Sequence, residues 1–186
     1  MQPLAWPDHR PTSGPVVLRP WYEYDLAAVA DLARDPYLPM IGTVPARYTE
    51  AEGRAYIARQ HQRLADGAGW SFAVAERTAD RAVGGAGLWL HADRPATAGY
   101  AIAPADRGRG FATAALRALT SFAWERGLDR VELFVEPGNA AARAVAERAG
   151  YAFVERLTGH GLIGGQPCDL DRFVAQHPGP SATPDA

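Results

Sequence analysis

With one cysteine, Cys168, among 186 residues, the chain cannot close an internal disulfide. No second Cys or His stands at ligand spacing, which excludes a structural zinc site and leaves the thiol as a small apolar residue near a strand. No metal is expected. The chain also has no apolar run of membrane-spanning length. Met1 to Pro15 lacks the basic start and apolar stretch of a signal peptide, so the expected location is the cytoplasm, with no membrane partner. A basic excess is missing too. The net charge is −2, the pI is near 6.2 and the arginines are scattered, which argues against a nucleic-acid partner. No internal repeat is visible.

What is present is an apolar fraction of 47%, enough for one domain with a substantial core. The two ends, "MQPLAWPDHRPTSGP" and "QHPGPSATPDA", are Pro/Gly/Ser-rich, and such segments rarely bury enough surface to offset ordering. The expectation is therefore a flexible segment over 1–15, a folded domain over 16–175 and a flexible tail over 176–186.

Between the ends the hydrophobic period switches repeatedly. "VVLRP" (Val16 to Pro20) reads as a strand, and "EYDLAAVADLARD" carries helical spacing up to Asp35-Pro36. A Pro-punctuated loop, Tyr37 to Arg47, precedes a helix from about Thr49 to Ala65 whose Thr49 and Glu52 suggest a capping box. Strands follow at Trp70 to Glu76, Ala82 to His91 and Thr97 to Pro104. Next come a helix over about Phe111 to Arg126, the strand "RVELFVEP", a helix capped by Asn139 and stopped by Gly150, and a closing pair at "YAFVERLTG" and "CDLDRFV". The order β α α β β β α β α β β holds one strand–helix–strand unit, Thr97 to Val135, long enough for a right-handed parallel crossover. The expected fold class is α/β (α+β): a mixed, mainly antiparallel sheet of about seven strands with helices on both faces.

"DRGRGFATAAL", Asp106 to Leu116, stands between a strand end and the crossover helix. The first N–H groups of a helix have no internal partners and face the positive end of its dipole, so an anion is attracted there. Gly108 and Gly110 let a phosphate approach the backbone, and Arg107 and Arg109 add charge. The P-loop pattern fails for want of a lysine, and the dinucleotide pattern fails because Phe-Ala-Thr follows the glycines. The turn by itself leaves open a phosphate cradle and a solvated Gly-Arg turn.

The run Arg107-Gly108-Arg109-Gly110-Phe111-Ala112 resembles the acyl-coenzyme A signature of the GNAT superfamily of N-acetyltransferases. With "VVLRPWYEYD", "AVGGAGL" and "VEPGNAAARAVAERAGYAFVE", the chain from Val16 to Val174 is similar to the RimJ/RimL branch, which acetylates ribosomal-protein N-termini. The resemblance implies an acetyl-CoA-dependent acyltransferase that joins an acetyl group to a primary amine, on a protein N-terminus or a small molecule. It implies that the backbone of Tyr100, Ala101 and Ile102 bonds the pantetheine arm, with an amide near Ile102 as oxyanion donor, and that the amides from Gly108 to Thr113 hold the pyrophosphate. Asn139 and Arg143 are further candidates for coenzyme contact.

Several groups usual in the family are replaced. Ala146 stands where relatives carry a tyrosine that protonates the leaving thiolate, and Ala142 where RimL-type relatives have a serine. Thr97 and Ala98 replace carboxylates that act as a base through water. The remaining candidates for proton handling are Glu136, His91 and Asn139, each with a plain structural alternative: a solvated strand end, a surface turn and a helix cap. The acceptor pocket is expected from Tyr37, Met40, Tyr48 and the "GHGLIGGQP" segment, Gly159 to Pro167. Other readings are a non-catalytic acyl-CoA-binding module, suggested by the missing groups, and an antibiotic-modifying N-acetyltransferase. The chain is expected to act as a monomer or homodimer.

Overall fold

A computed structural model describes residues 4–179. The last seven residues of the expected tail lie outside the described residues.

Eight strands form one sheet: β1 (Thr12–Ser13), β2 (Val16–Arg19), β3 (Gly69–Glu76), β4 (Ala82–Trp89), β5 (Ala96–Ile102), β6 (Arg130–Val135), β7 (Ala152–Ile163) and β8 (Gln166–Gln176), in the spatial order β1-β2-β3-β4-β5-β6-β8-β7. All neighbours are antiparallel except β5 and β6. The helices are α1 (Leu26–Leu32), α2 (Leu38–Ile41), α3 (Glu50–Ala65), α4 (Phe111–Glu125) and α5 (Ala140–Arg148).

Two apolar clusters show how the layers close. On one face α4 and α5 set Leu116, Leu119, Phe122 and Ala146 against Phe72, Leu88, Val131 and Phe173. On the other, α1 and α3 set Val29, Leu32, Tyr56 and Ile57 against Trp21 and Ala73. Each helix buries the stripe its apolar spacing predicts. Thr49 caps α3, its Oγ1 accepting from the Glu52 amide at 3.2 Å.

Three parts differ from the sequence expectation. The Pro-rich stretch before β2, excluded by composition, packs on the domain from Leu4 onward. The Leu4 amide donates to Leu64 O, Trp70 Nε1 donates to Ala5 O at 2.9 Å, and Trp6 packs on Phe72 with centroids 5.4 Å apart. Two tryptophan rings offset the low apolar content around them. The loop after α1 contains a turn of helix, α2, started by Pro39 in its first turn. Finally, β7 and β8 run through the expected specificity loop as one long hairpin, with Gly164 and Gly165 turning the chain at φ of +55° and +81°.

Candidate active site

The central cleft exists because two strands part. β5 and β6 pair only at Ala96 with Val131, Thr97 with Glu132 and Ala98 with Leu133. Residues 99–102 and 134–135 stay paired to β4 and β8 but not to each other, and the sheet opens between them into a cleft of about 1490 Å³.

Ladder alternation decides which groups of β5 face that gap. The Ala103 amide donates to Val83 O, so Ala103, Ala101 and Gly99 direct their polar groups to β4, while those of Tyr100 and Ile102 point into the gap. In agreement, a Cβ on Gly84 would lie 2.1 Å from the Ala101 oxygen. Arg107 Nε donates to Ile102 O at 3.0 Å. The free edge is therefore the amides of Tyr100 and Ile102 and the Tyr100 carbonyl. The expected role of Ala101 as a main-chain contact is corrected: its amide and carbonyl belong to β4, and only its small side chain lines the cleft.

At the mouth, Gly108 and Gly110 hold φ of +77° and +80°, and nothing lies within 4 Å of where a Cβ would stand on either. Only glycine takes this backbone without strain and leaves it open to a ligand. The amides of residues 108–113 have no hydrogen-bond partner among the described residues, the first helical bond being Ala114 N–H to Gly110 O at 3.1 Å. Six unpartnered donors at and before a helix start are the arrangement that can receive an anion.

The arginines of that turn are occupied differently from the expectation. Arg107 donates to Asp35 as well as to Ile102 O. Arg109 donates to Asp106 and Glu76 at 2.9 Å each, lies 4.7 Å over the Phe111 ring and does not line the cleft. Arg81 grips Asp106 through both of its terminal nitrogens at 2.9 and 2.6 Å, which holds that carboxyl below the usual carboxylate range. The charges tie the turn to the body of the domain, and the donors left without partners at 108–113 are main-chain amides.

On the far wall, Asn139 Oδ1 accepts from the Ala142 amide at 2.9 Å, so this residue caps α5 while lining the cleft. Arg143 pairs with Glu147 at 2.9 Å, stacks 5.7 Å from Phe153 and lies outside the lining. Ala146 is buried. The Tyr100 phenol, pushed up to about 12 by burial, lines the cleft with Ala142 and Val145. Three carboxylates line it: Asp35 and Asp106 are in ion pairs, and Glu136, ending β6, has no cationic partner among the described residues. His91 does not reach the lining. Its Nε2 sits 3.0 Å from Thr97 Oγ1, and burial, helped by Arg94, lowers its pKa.

Of the expected acceptor residues, Tyr37 and Met40 line the cleft, and Tyr48 instead covers Gly53, whose Cβ would lie 2.9 Å from its ring. The hairpin tip reaches across, the Gly164 amide donating to Met40 O at 3.1 Å. Sequence reasoning missed a polar wall on α3 and the sheet beneath it. Gln60 accepts from Ser71 Oγ and Arg63 Nη1, both at 2.8 Å, and Trp89 stands beside them. A polar Gln60 between Tyr56 and Leu64, on the buried stripe of α3, was the available sign.

Residues 16–152 match the family model of the acetyltransferase (GNAT) domain. Among solved structures, RimJ of Mycobacterium smegmatis in complex with CoA-disulfide is 26% identical with a TM-score of 0.78, covering 95% of this chain and 90% of its own. RimL, a ribosomal L7/L12 alpha-N-protein acetyltransferase in complex with coenzyme A, is 18% identical with a TM-score of 0.74, covering 89% and 96%. The ribosomal-protein-S5-alanine acetyltransferase of Vibrio fischeri is 14% identical with a TM-score of 0.72, covering 92% and 98%. No curated protein sequence matches. Among the described residues no helix is long and apolar enough to cross a membrane.

Proposed function

The chain belongs to the GNAT acetyltransferase family, and from that premise we propose that it moves the acetyl group of acetyl-CoA to the primary amine of a peptide N-terminus or a small molecule in the cytoplasm. The observation that carries this reading is the set of unpartnered amides at 108–113, continuous with the free edge at Tyr100 and Ile102. Amides at a helix start suit a pyrophosphate, and a strand edge suits the amide-bearing pantetheine arm as a missing strand. Laid in that order, the coenzyme's thioester falls where β5 and β6 part.

The chemistry follows from what stands there. A neutral amine attacks the thioester carbon, an N–C bond forms, and charge develops on the carbonyl oxygen. A gap-facing amide of β5 offers that oxygen a donor fixed in advance. The C–S bond then breaks. The proton leaving nitrogen passes to Glu136, and the departing thiolate takes one from the Tyr100 phenol, which burial keeps protonated. The phenol thereby supplies the group that Ala146 lacks.

The test is calorimetry with acetyl-CoA together with acetyl transfer to a panel of N-terminal peptides and small amines. Binding with turnover of some amine is the expected result. Absence of binding overturns the coenzyme site, and binding without turnover of any amine converts the reading to a non-catalytic module. The chain contains no lysine, so the protein's own side chains offer no primary amine to obscure the assay.

A further inference from the structure

Four arginines are half-buried or buried: Arg19, Arg63, Arg130 and Arg172. Three meet carboxylates. Arg19 has Asp25 at 2.7 Å and Asp80 at 2.8 Å, Arg130 has Glu132 at 3.0 Å, and Arg172 has Glu155 at 2.5 Å and Glu132 at 3.4 Å. Arg63 has no carboxylate within 4.0 Å among the described residues, and its partners are neutral: Gln60 Oε1 at 2.8 Å and Thr43 Oγ1 at 3.2 Å. Removing a cation from water without a counter-ion is unfavourable, and here burial pulls the guanidinium below the ordinary arginine value.

The group is also held rigidly and left partly unused. Gln60 is fixed by donating to Tyr56 O and accepting from Ser71, both at 2.8 Å, so the oxygen that receives Arg63 cannot swing away. On the other side the guanidinium lies 5.8 Å from the Trp89 ring. A guanidinium has five N–H donors, and two are engaged by Gln60 and Thr43, which leaves three.

Its place in the cleft adds the chemistry. The Trp89 ring lies across Gly87 and Gly99, where an added Cβ would come within 2.7 and 2.8 Å of ring carbons. Gly99 is the first β5 residue beyond the last β5–β6 pair. The wall that carries Arg63 therefore stands beside the point where the strands part, on the α1 and α3 face, opposite the face that carries α4 and α5. A coenzyme entering over the start of α4 leaves this wall to the acceptor.

We propose that Arg63 receives a carboxylate of the acceptor, so that the preferred substrate is an amine carrying an acidic group near the nitrogen that is acetylated, such as a peptide with an acidic residue at its first or second position. The inference rests on the acetyltransferase reading. The acid completes the guanidinium's hydrogen bonds and supplies the missing counter-charge, while the indole offers a flat surface to the chain of the substrate. Arg63 does not touch the reacting atoms, so it acts on acceptor binding.

The test measures kcat/KM at saturating acetyl-CoA for matched tripeptide amides, Asp-Ala-Ala against Asn-Ala-Ala and Ser-Asp-Ala against Ser-Asn-Ala, with the wild type, Arg63→Gln and Arg63→Lys. For at least one pair the acidic member should be favoured by about 10-fold or more, the scale of a desolvated charge pair. Arg63→Gln should erase that ratio through KM while leaving acetyl-CoA affinity by calorimetry unchanged, and Arg63→Lys should retain part of it. A wild-type ratio near one, or a preference that survives Arg63→Gln, overturns the inference. Turnover of uncharged small amines with neither member of either pair accepted overturns it as well and leaves the acetyltransferase reading intact. Absence of turnover with every amine removes both. If Arg63→Gln fails to fold, the wild-type ratio and Arg63→Lys still decide.

Discussion

The two walls of the cleft grip in different materials. The wall at the start of α4 offers main-chain amides, opened by glycines at positive φ, and its arginines are taken up in ion pairs, Arg107 with Asp35 and Arg109 with Asp106 and Glu76. The wall on α3 offers side chains, Arg63, Gln60, Ser71 and Trp89, locked to one another. A main-chain site recognises a constant ligand, because every residue carries the same amide. A side-chain site can be retuned one residue at a time, which suits an acceptor that differs between relatives.

That contrast can be broken most forcefully at the turn. Gly110→Val places a β-branched side chain at φ of +80°, and a strain of about 1–3 kcal/mol together with the lost cradle should raise the acetyl-CoA dissociation constant on the order of 100-fold, read by calorimetry. An unchanged affinity would mean that the amides are not the site. Glu136→Gln should lower kcat by roughly 10² with coenzyme affinity unaltered. An unchanged kcat would assign the proton to another group. Ser71→Ala leaves Gln60 with one donor fewer and should raise acceptor KM by about 5-fold at constant coenzyme affinity, as expected for one buried hydrogen bond. An effect on coenzyme binding instead would erase the division between the walls.

The smallest effect belongs to His91. Burial holds its folded-state value below the ordinary one, so protonation favours the unfolded chain. The stabilising contribution is complete above about pH 6.5 and is lost as pH falls through the folded value. His91→Gln should flatten the dependence of Tm on pH over that window and leave the pH profile of kcat/KM unchanged in shape. A shifted kinetic profile would return the imidazole to the chemistry.

What could be read in advance divides along the same line. The turn at 107–110, the crossover helix beginning at Phe111 and the Asn139 cap each leave a local mark, because glycine, small-residue spacing and a capping side chain act within a few residues. The hairpin of β7 and β8 was underestimated because β7 lies at the sheet edge and is exposed along most of its length; with no buried face, the period-two pattern that identifies a strand is weak. β1 is two residues in a Pro-rich stretch and owes its place to the partner strand β2 and to contact with α4. Arg63 looks in the sequence like one more charge on a polar helix face. Only the fold reveals that carboxylates reach Arg19, Arg130 and Arg172 and leave this one to the cleft. The same holds for Arg107 and Arg109, whose charge was legible and whose partners, Asp35 and Glu76, are 72 and 33 residues away in the chain.

The bond from Gly164 to Met40 fastens the tip of the β7–β8 hairpin to α2, and residues of both elements line the cleft. That side of the rim is therefore shared by two segments more than a hundred residues apart in the chain, joined there by a main-chain contact that does not depend on which side chains either one carries.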